Sequence, residues 1–341
     1  MALVLFAALP ALLPASAGGP ALAAQAGSTT HPAQAPKASS GSHPAQATRA
    51  PSSGGPTAHG DPQVRSNVAL VIDAAVGTPL YAKHKDQVAP IASITKLMTA
   101  MVVLDAGLPP DEPVLLDKAD VDHKKNTRSR LPVGATIPRG ELLHVALMSS
   151  DNRAAAALAR TYPGGTAACV AAMNRKALAL GMTRTSFADP TGLSSLNVSN
   201  AEDLTRMVLA ASGYPAIREA TTSYEHQLTL GDGRILEFHN SNGLVRNPAW
   251  SIGLSKTGYI NEAGRCLVMQ AEIAAKQVVI VLLDSWGKYT RLGDANRIRH
   301  WLEGAVPPAA RAAAAAAAAE GPVVHAPSPP ISTFAPGPFA P

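Results

Sequence analysis

Pro90-Ile-Ala-Ser-Ile-Thr-Lys-Leu-Met-Thr-Ala-Met-Val-Val-Leu-Asp105 is the stretch on which the reading of this 341-residue chain turns. Leu97, Met98, Met101, Val102 and Leu104 recur at helical spacing, and Gly107 and Pro109 stop the run. Ser93–Asp105 is therefore predicted to be one helix. Its first turn carries Ser93 and Lys96 on one face. The free N–H groups and dipole of a helix N-terminus favour negative charge developing there. A serine hydroxyl is a weak nucleophile until a neighbour takes its proton. Lysine can do so only when desolvation or a nearby cation lowers its pKa from about 10.4 toward neutrality. Ile91, Leu97 and the methionines supply apolar surroundings for that.

Outward from this helix the chain alternates between strand and helix patterns. Asn67–Asp73 and Leu80–Ala82 read as strands around Gly77-Thr-Pro79. Glu141–Met148 is an apolar helix, interrupted by Ser149-Ser-Asp-Asn152 before Ala-rich 153–160. Ser199-Asn-Ala-Glu202 has the spacing of a capping box and opens a helix ending near Ala211. Gln227–Leu230 and Arg234–Phe238 flank Gly231-Asp-Gly233 as a hairpin. Trp250–Tyr259, Cys266–Ile273 and Gln277–Leu283 read as strands, the last two joined by a tight Ala-Ala-Lys turn, and Asp294–Glu303 as a closing helix. That order is α+β, with an antiparallel sheet made by the two ends of the domain and helices inserted between.

Two more short elements carry chemistry. Ser150-Asp-Asn152 lies on the interhelix loop, where Ser150 can relay a proton to a leaving amine and Asn152 can orient a substrate amide. Lys256-Thr-Gly258 lies on an edge strand. There Lys256 and Thr257 offer a cation and a hydroxyl to a carboxylate, Lys256 also serves as the cation near Lys96, and Gly258 admits a substrate backbone. Alone, each element is weak. Ser-x-x-Lys is expected roughly once in such a chain, and Ser285-Trp-Gly-Lys288 matches it as well. Lys-Thr-Gly occurs by chance in roughly one chain in ten. The weight lies in the combination, in order and each on the element its chemistry needs.

The three elements resemble the signature of serine penicillin-binding proteins and serine β-lactamases. Ala146-Leu-Met-Ser-Ser-Asp-Asn-Arg-Ala-Ala-Ala156, Tyr162-Pro-Gly-Gly165, Pro190-Thr-Gly-Leu193 and Ser255-Lys-Thr-Gly-Tyr259, with Pro90–Asp105, are similar to the D-alanyl-D-alanine endopeptidases. These are low-molecular-mass penicillin-binding proteins of the S11 peptidase family, and the similarity spans about 66–302. The resemblance implies a transpeptidase-like fold, with a five-stranded antiparallel sheet packed with helices and an inserted helical subdomain. It implies a periplasmic serine hydrolase, without cofactor or metal, that cleaves D-Ala-linked peptidoglycan crosslinks and is acylated by β-lactams. Ser93, Lys96, Ser150 and Asn152 would be catalytic, and Lys256, Thr257, Gly258 and Tyr259 would bind substrate. The N–H groups of Ser93 and Tyr259 would form the oxyanion hole.

The middle triplet is Ser-Asp-Asn, whereas the endopeptidases often have Ser-Glu-Asn. Ser-Asp-Asn is also the class A β-lactamase triplet, but that enzyme needs a Glu followed four residues later by Asn. Glu202, Glu219, Glu225 and Glu237 are followed at that spacing by Arg206, Ser223, Thr229 and Ser241. A carboxypeptidase of the same family is the nearer alternative, although such enzymes usually add a C-terminal β domain and an amphipathic anchor, and the 37 residues after Gly304 suit neither. A non-catalytic wall-binding module has no use for a matched nucleophile and base. His144 reads as a packed helix residue and His226 and His239 as surface residues. Asp189-Pro-Thr-Gly192 reads as a structural loop, and Arg291, Arg297 and Arg299 as a solvated helix face.

Composition sets the boundaries. Residues 1–62 and 305–341 hold 9 prolines each, against 11 in the 242 residues between, and the flanks are nearly uncharged. Such Ala/Pro/Ser/Gly tracts cannot offset chain entropy, whereas the middle can bury a core. Met1–Leu13 is too short and broken for a spanning helix but suits a secretory signal, although no Lys or Arg precedes Lys37. The expected organisation is a signal at 1–24, a linker at 25–64, a peptidase domain at 65–304 and a tail at 305–341. The chain's net charge of +5, without basic runs, is a poor nucleic-acid footprint. Cys169 and Cys266 could pair in an oxidising compartment but read rather as separate buried thiols, with no zinc pattern.

Overall fold

The computed structural model describes residues 60–305. The expected signal, nearly all of the linker and the tail beyond Ala305 lie outside the described residues. Five strands form one antiparallel sheet: β1 (Val68–Asp73), β2 (Pro79–Lys83), β3 (Ser251–Ile260), β4 (Gly264–Ile273) and β5 (Lys276–Ser285). Their order is β2-β1-β5-β4-β3. The beginning and end of the domain therefore meet in the sheet centre, with Val68 opposite Leu283 and Asp73 opposite Val278. Ala274 and Ala275, both at positive φ, make the predicted tight turn between β4 and β5.

The central strands are apolar without a break because both faces are covered. Val279, Val281 and Leu283 of β5 join Val68, Leu70, Ile72 and Val268 in the core beneath the helical region. Val278, Ile280 and Leu282 face the other way with Val71, Leu267 and Met269, against Ala295, Ile298 and Leu302. Those last three belong to α7 (Thr290–Gly304).

Between β2 and β3 the chain forms α1 (Thr95–Asp105), α2 (Arg139–Met148), α3 (Asn152–Arg160), α4 (Gly165–Ala179), α5 (Ala201–Ala211) and α6 (Pro215–Thr222). Every side chain of α1 from Thr95 to Val103 is buried, as expected for a helix sheathed on all sides. It packs against α2, α3, α4 and α5. The hairpin pairs Glu225–Thr229 with Ile235–His239.

Several details differ from the sequence reading. α4 and α6 escape it. The buried face of α4 is Cys169, Ala172, Met173 and Ala177, so its small side chains leave a faint apolar stripe. Asn200, not Ser199, caps α5, its side chain accepting from Asp203 N at 2.9 Å. Ser199 is drawn into a short extended pairing with Ala89. α7 begins at Thr290, four residues before the predicted start. Cys169 and Cys266 are separate buried thiols, as predicted, and burial pushes them up to about 12 and about 11.

Asp294 fastens the start of the domain to its end. Fully buried on α7, it accepts from Arg65 N (2.9 Å), Ser66 N (2.7 Å) and Ser66 Oγ (2.5 Å), and pairs with Arg297. Asp294→Ala leaves two backbone donors and a guanidinium without their acceptor. It is expected to cost about 3 kcal/mol, read by urea unfolding. A loss below about 1 kcal/mol would show that the contact does not bind the two ends together.

Candidate active site

Ser93 stands in a 3-10 turn, Ala92–Ile94, that leads into α1, one step earlier than the predicted first α-turn. Ala92 has φ of 48°, and Thr95 closes the turn by donating its hydroxyl to Ala92 O at 2.8 Å. Two glycines press on this turn from different directions. A Cβ on Gly192 (φ 84°) would lie 2.0 Å from Ala92 O and 2.8 Å from Ser93 N. One on Gly258 would lie 2.8 Å from Ile91 O and 3.1 Å from the Ala92 Cβ. Gly258 thus makes room for the serine turn itself, which revises the expectation that it admits substrate backbone.

Gly192 belongs to the loop that the sequence marks as structural. Its organiser is Asp189, which accepts from the N–H groups of Thr191 (2.6 Å), Gly192 (2.8 Å) and Ser194 (2.6 Å) and from the Thr191 hydroxyl (2.6 Å). Burial pushes the carboxyl up, but these hydrogen bonds outweigh it and hold it below the usual carboxylate range.

Lys96 is 1% exposed. Its Nζ lies 3.0 Å from Ser93 Oγ, 2.6 Å from Asn152 Oδ1 and 2.6 Å from Thr191 O. Burial pushes its pKa down to about 8 against the opposing fields of Asp151, Asp189 and Asp122. Two of the three partners are carbonyl oxygens, which only accept. A neutral amine gives them its two N–H groups and turns its lone pair to the Ser93 hydroxyl, the arrangement a general base requires. Asn152 is held by a further chain: its Nδ2 donates to Thr127 Oγ1 (2.9 Å), which donates to Asp122 Oδ2 (2.7 Å).

Ser150 occupies a left-handed conformation, φ 64°, between the end of α2 and Asp151, which caps α3 by accepting from Ala154 N. Its Oγ accepts from Lys256 Nζ at 2.8 Å. Lys256 is likewise 1% exposed and also donates to Thr257 O at 3.1 Å. Its pKa is driven well below the ordinary value by burial first, then by the charges of Lys96 and Arg291. The expected influence of one lysine on the other thus appears on Lys256, while burial does the work at Lys96. Thr257 donates to Ser241 Oγ at 2.8 Å, and Ser241 N donates to Met148 O at 2.9 Å. Tyr259 follows, half exposed, with the Arg265 guanidinium 4.5 Å from its ring centroid.

The residues singled out in the sequence are therefore brought together. Lys96, Ser93 and Asn152 form one hydrogen-bonded group, and Lys256, Ser150 and Thr257 another beside it. Thr127, Asp122, Ser241 and the Thr191 carbonyl are additional members. Ser241 lies in the segment Asn240-Ser-Asn-Gly-Leu244, between the hairpin and β3.

Arg291 corrects the reading of a solvated face: it is 9% exposed, and its Nε and Nη1 have no partner among the described residues. Arg297 and Arg299 pair with Asp294 and Glu303. His226 is not a free surface residue. It stacks on His144 at 4.3 Å and lies 2.5 Å from Glu141. Among the described residues no group of three or more His, Cys, Asp or Glu is placed to hold a metal ion.

A family model described as peptidase S11, D-alanyl-D-alanine carboxypeptidase, matches residues 56–287. A D-alanyl-D-alanine endopeptidase of Pseudomonas aeruginosa is 49% identical over 255 residues, 73% of this chain and 82% of the relative. One from Escherichia coli K12 is 46% identical over 258 residues, 75% and 83% of the two chains. The crystal structure of the Streptomyces K15 DD-transpeptidase superposes with a TM-score of 0.67 at 28% identity, covering 71% of this chain and 98% of that one.

The glycine clamp is testable. Gly192→Ala adds a strained φ and a Cβ driven into Ala92 O, an expected cost of about 3 kcal/mol. That corresponds to a Tm lower by roughly 6–12 °C. Gly134→Ala, at φ 86° with nothing within 4 Å, incurs strain alone and is expected to cost about 1 kcal/mol. Equal shifts in the two variants would mean that close approach to the serine turn is not what requires Gly192.

Proposed function

The chain belongs to the peptidase S11 family, and from that premise we propose that it opens D-Ala-containing peptide crosslinks of peptidoglycan through an acyl-enzyme on Ser93. The supporting observation is the buried Lys96 amine, 3.0 Å from Ser93 Oγ and held by two carbonyl oxygens, so that once neutral it has a lone pair for the Ser93 hydroxyl. Ser93 Oγ attacks the D-Ala carbonyl as its proton passes to Lys96. The N–H groups of Ser93 and Tyr259 take the oxyanion. Ser150, hydrogen-bonded to Lys256, hands a proton to the departing amine and recovers one through that lysine. Water then releases the acyl group.

In a crosslink the residue after the scissile bond is a diamino acid whose side-chain amine is the leaving group. Its own carboxylate is received by the Thr257 hydroxyl, with Lys256 behind. The same position takes the carboxylate of a β-lactam, whose ring carbonyl Ser93 attacks, breaking the ring C–N bond and leaving an acyl-enzyme. Endopeptidase action is favoured over carboxypeptidase action because the relatives at 49% and 46% identity are both named endopeptidases. An enzyme of this substrate class works outside the cytoplasmic membrane, and we assign it to the periplasm. Residues 65–304 are the peptidase domain. Among the described residues no helix is long and apolar enough to cross a membrane.

Intact-protein mass spectrometry with a penicillin is expected to give one adduct on the wild type and none on Ser93→Ala. Lys96→Ala is expected to slow acylation 10²–10⁴-fold. The base must be neutral, so the wild-type acylation rate is expected to rise with pH through an apparent pKa of about 8. An adduct on Ser93→Ala, or a profile flat from pH 6 to 9, would remove these residues from their roles. Digestion of purified muropeptides is expected to cleave crosslinked dimer in preference to free pentapeptide, and the reverse preference would make the enzyme a carboxypeptidase.

A further inference from the structure

Two walls meet at the reacting group. The helical wall reaches Ser93 through Lys96, whose Nζ lies 2.6 Å from Asn152 Oδ1, and Asn152 donates to Thr127 Oγ1 at 2.9 Å. The sheet wall reaches the same turn through Gly258, where an added Cβ would lie 3.2 Å from Ser93 N. The two walls meet a second time. Lys125 Nζ donates to Glu262 Oε1 at 2.5 Å, joining segments 137 residues apart. Lys125 belongs to the 122–127 loop, and Glu262 to the turn between β3 and β4.

Each partner is fastened to a group of the reaction. On the helical side Asp122 accepts from Lys125 N (3.1 Å), Thr127 N (2.9 Å) and the Thr127 hydroxyl (2.7 Å). Lys125 is thereby tied to the threonine that holds Asn152. Farther along the same segment, Ser129 donates to Asp151 at 2.7 Å, a further tie to the helical side. On the sheet side Glu262 stands three residues beyond Tyr259. Its turn is closed by Ala263 N donating to Ile260 O at 3.2 Å and by Tyr259 Oη donating to Asn261 Oδ1 at 2.9 Å. The contacts make a closed ring, from Ser93 through Lys96, Asn152 and the loop to Glu262, and back along β3 to the serine turn.

The side chains of Lys125 and Glu262 are 32% and 44% exposed, and a pair so placed contributes little to the stability of a fold. What it can do is fix a separation. The hydrogen bond from Lys125 holds the Glu262 carboxyl below its ordinary range, so the carboxylate stays charged from pH 6 to 9. We propose that the Lys125–Glu262 pair braces the two walls of the active site, holding the Asn152 carbonyl against Lys96 and the Tyr259 N–H against the developing oxyanion. Both act through the groups they hold, as positioning residues. The proposal rests on the acyl-enzyme reading above and adds to it what keeps the two walls in register.

The test times acylation of the full chain by a saturating penicillin, so that the chemical step and not encounter is read. Lys125→Met and Glu262→Gln are each expected to acylate about fivefold more slowly than the wild type at pH 7, the range of one exposed ion pair. The loss is expected to shrink at pH 9, because a less firmly enclosed Lys96 amine becomes neutral only at higher pH. The two substitutions change the net charge in opposite directions. A field acting on the anionic penicillin would therefore move their rates apart, whereas loss of a brace lowers both. Combining Lys125→Glu with Glu262→Lys restores a pair and is expected to return the rate to within about twofold of the wild type. Lys85→Ala breaks a 2.5 Å pair with Glu202 elsewhere on the surface and is expected to leave both rate and pH profile unchanged. Opposite effects in the two single variants, wild-type rates in both, or a charge exchange no faster than they are would overturn the brace while leaving the peptidase intact. A wild type that penicillin does not acylate would overturn the parent reading instead.

Discussion

A lysine amine sealed from water must either find enough partners for its charge or give the charge up. Lys96 sits at that balance. Three oxygens surround it, and burial still brings its pKa to about 8. Each surrounding feature maintains the condition. The sheathed helix α1 excludes water, the Asp189 loop fixes the Thr191 carbonyl, and the Asp122–Thr127 pair turns the Asn152 carbonyl inward. Loosening any one of these would let water reach the amine, and its pKa would climb toward that of a free lysine.

The second lysine makes the first comprehensible. Two ammonium groups cannot both remain charged in one dry site without a large cost, and the conflict falls on Lys256, whose pKa is lowered partly by Lys96. Ser150 therefore lies next to a lysine that can give up a proton and regain it, without a carboxylate being needed. Arg291 adds to the same pressure, and two of its guanidinium nitrogens have no partner among the described residues.

The sequence discloses the parts whose chemistry is local. Ser93 and Lys96 share a helical face, the apolar runs of β1 and β5 announce strands covered on both sides, and the Ala-Ala-Lys turn ties two of them. What it hides is carried by backbone or by distant pairs. The Thr191 carbonyl has no side-chain signature. Thr127 is one threonine in a polar loop until Asn152 is brought to it. Arg291 reads as surface because helix α7 has charged residues all along it, and only the fold reveals which one points into the domain. α4 buries alanines, whose small apolar surface barely marks a face. Gly258 was legible as a necessary glycine, but the atom it makes room for belongs to a turn more than 160 residues away.

That last distance constrains how the site comes into being. Ala92 and Ser150, neither of them glycine, are held at positive φ, conformations that persist only where the surroundings over-determine them. For Ala92 the surroundings are Gly192 on one side and β3 on the other. For Ser150 they are the Lys256 amine and the α2 end pinned by Ser241. β3 is an edge strand held through β4 to β5, and β5 pairs with β1 at the start of the domain. Support of the strained serine turn by β3 thus depends on a sheet in which the two ends of the domain are paired. Ser93, Lys96 and Ser150 depend on one connected set of contacts, which holds residues drawn from such distant segments in a fixed geometry.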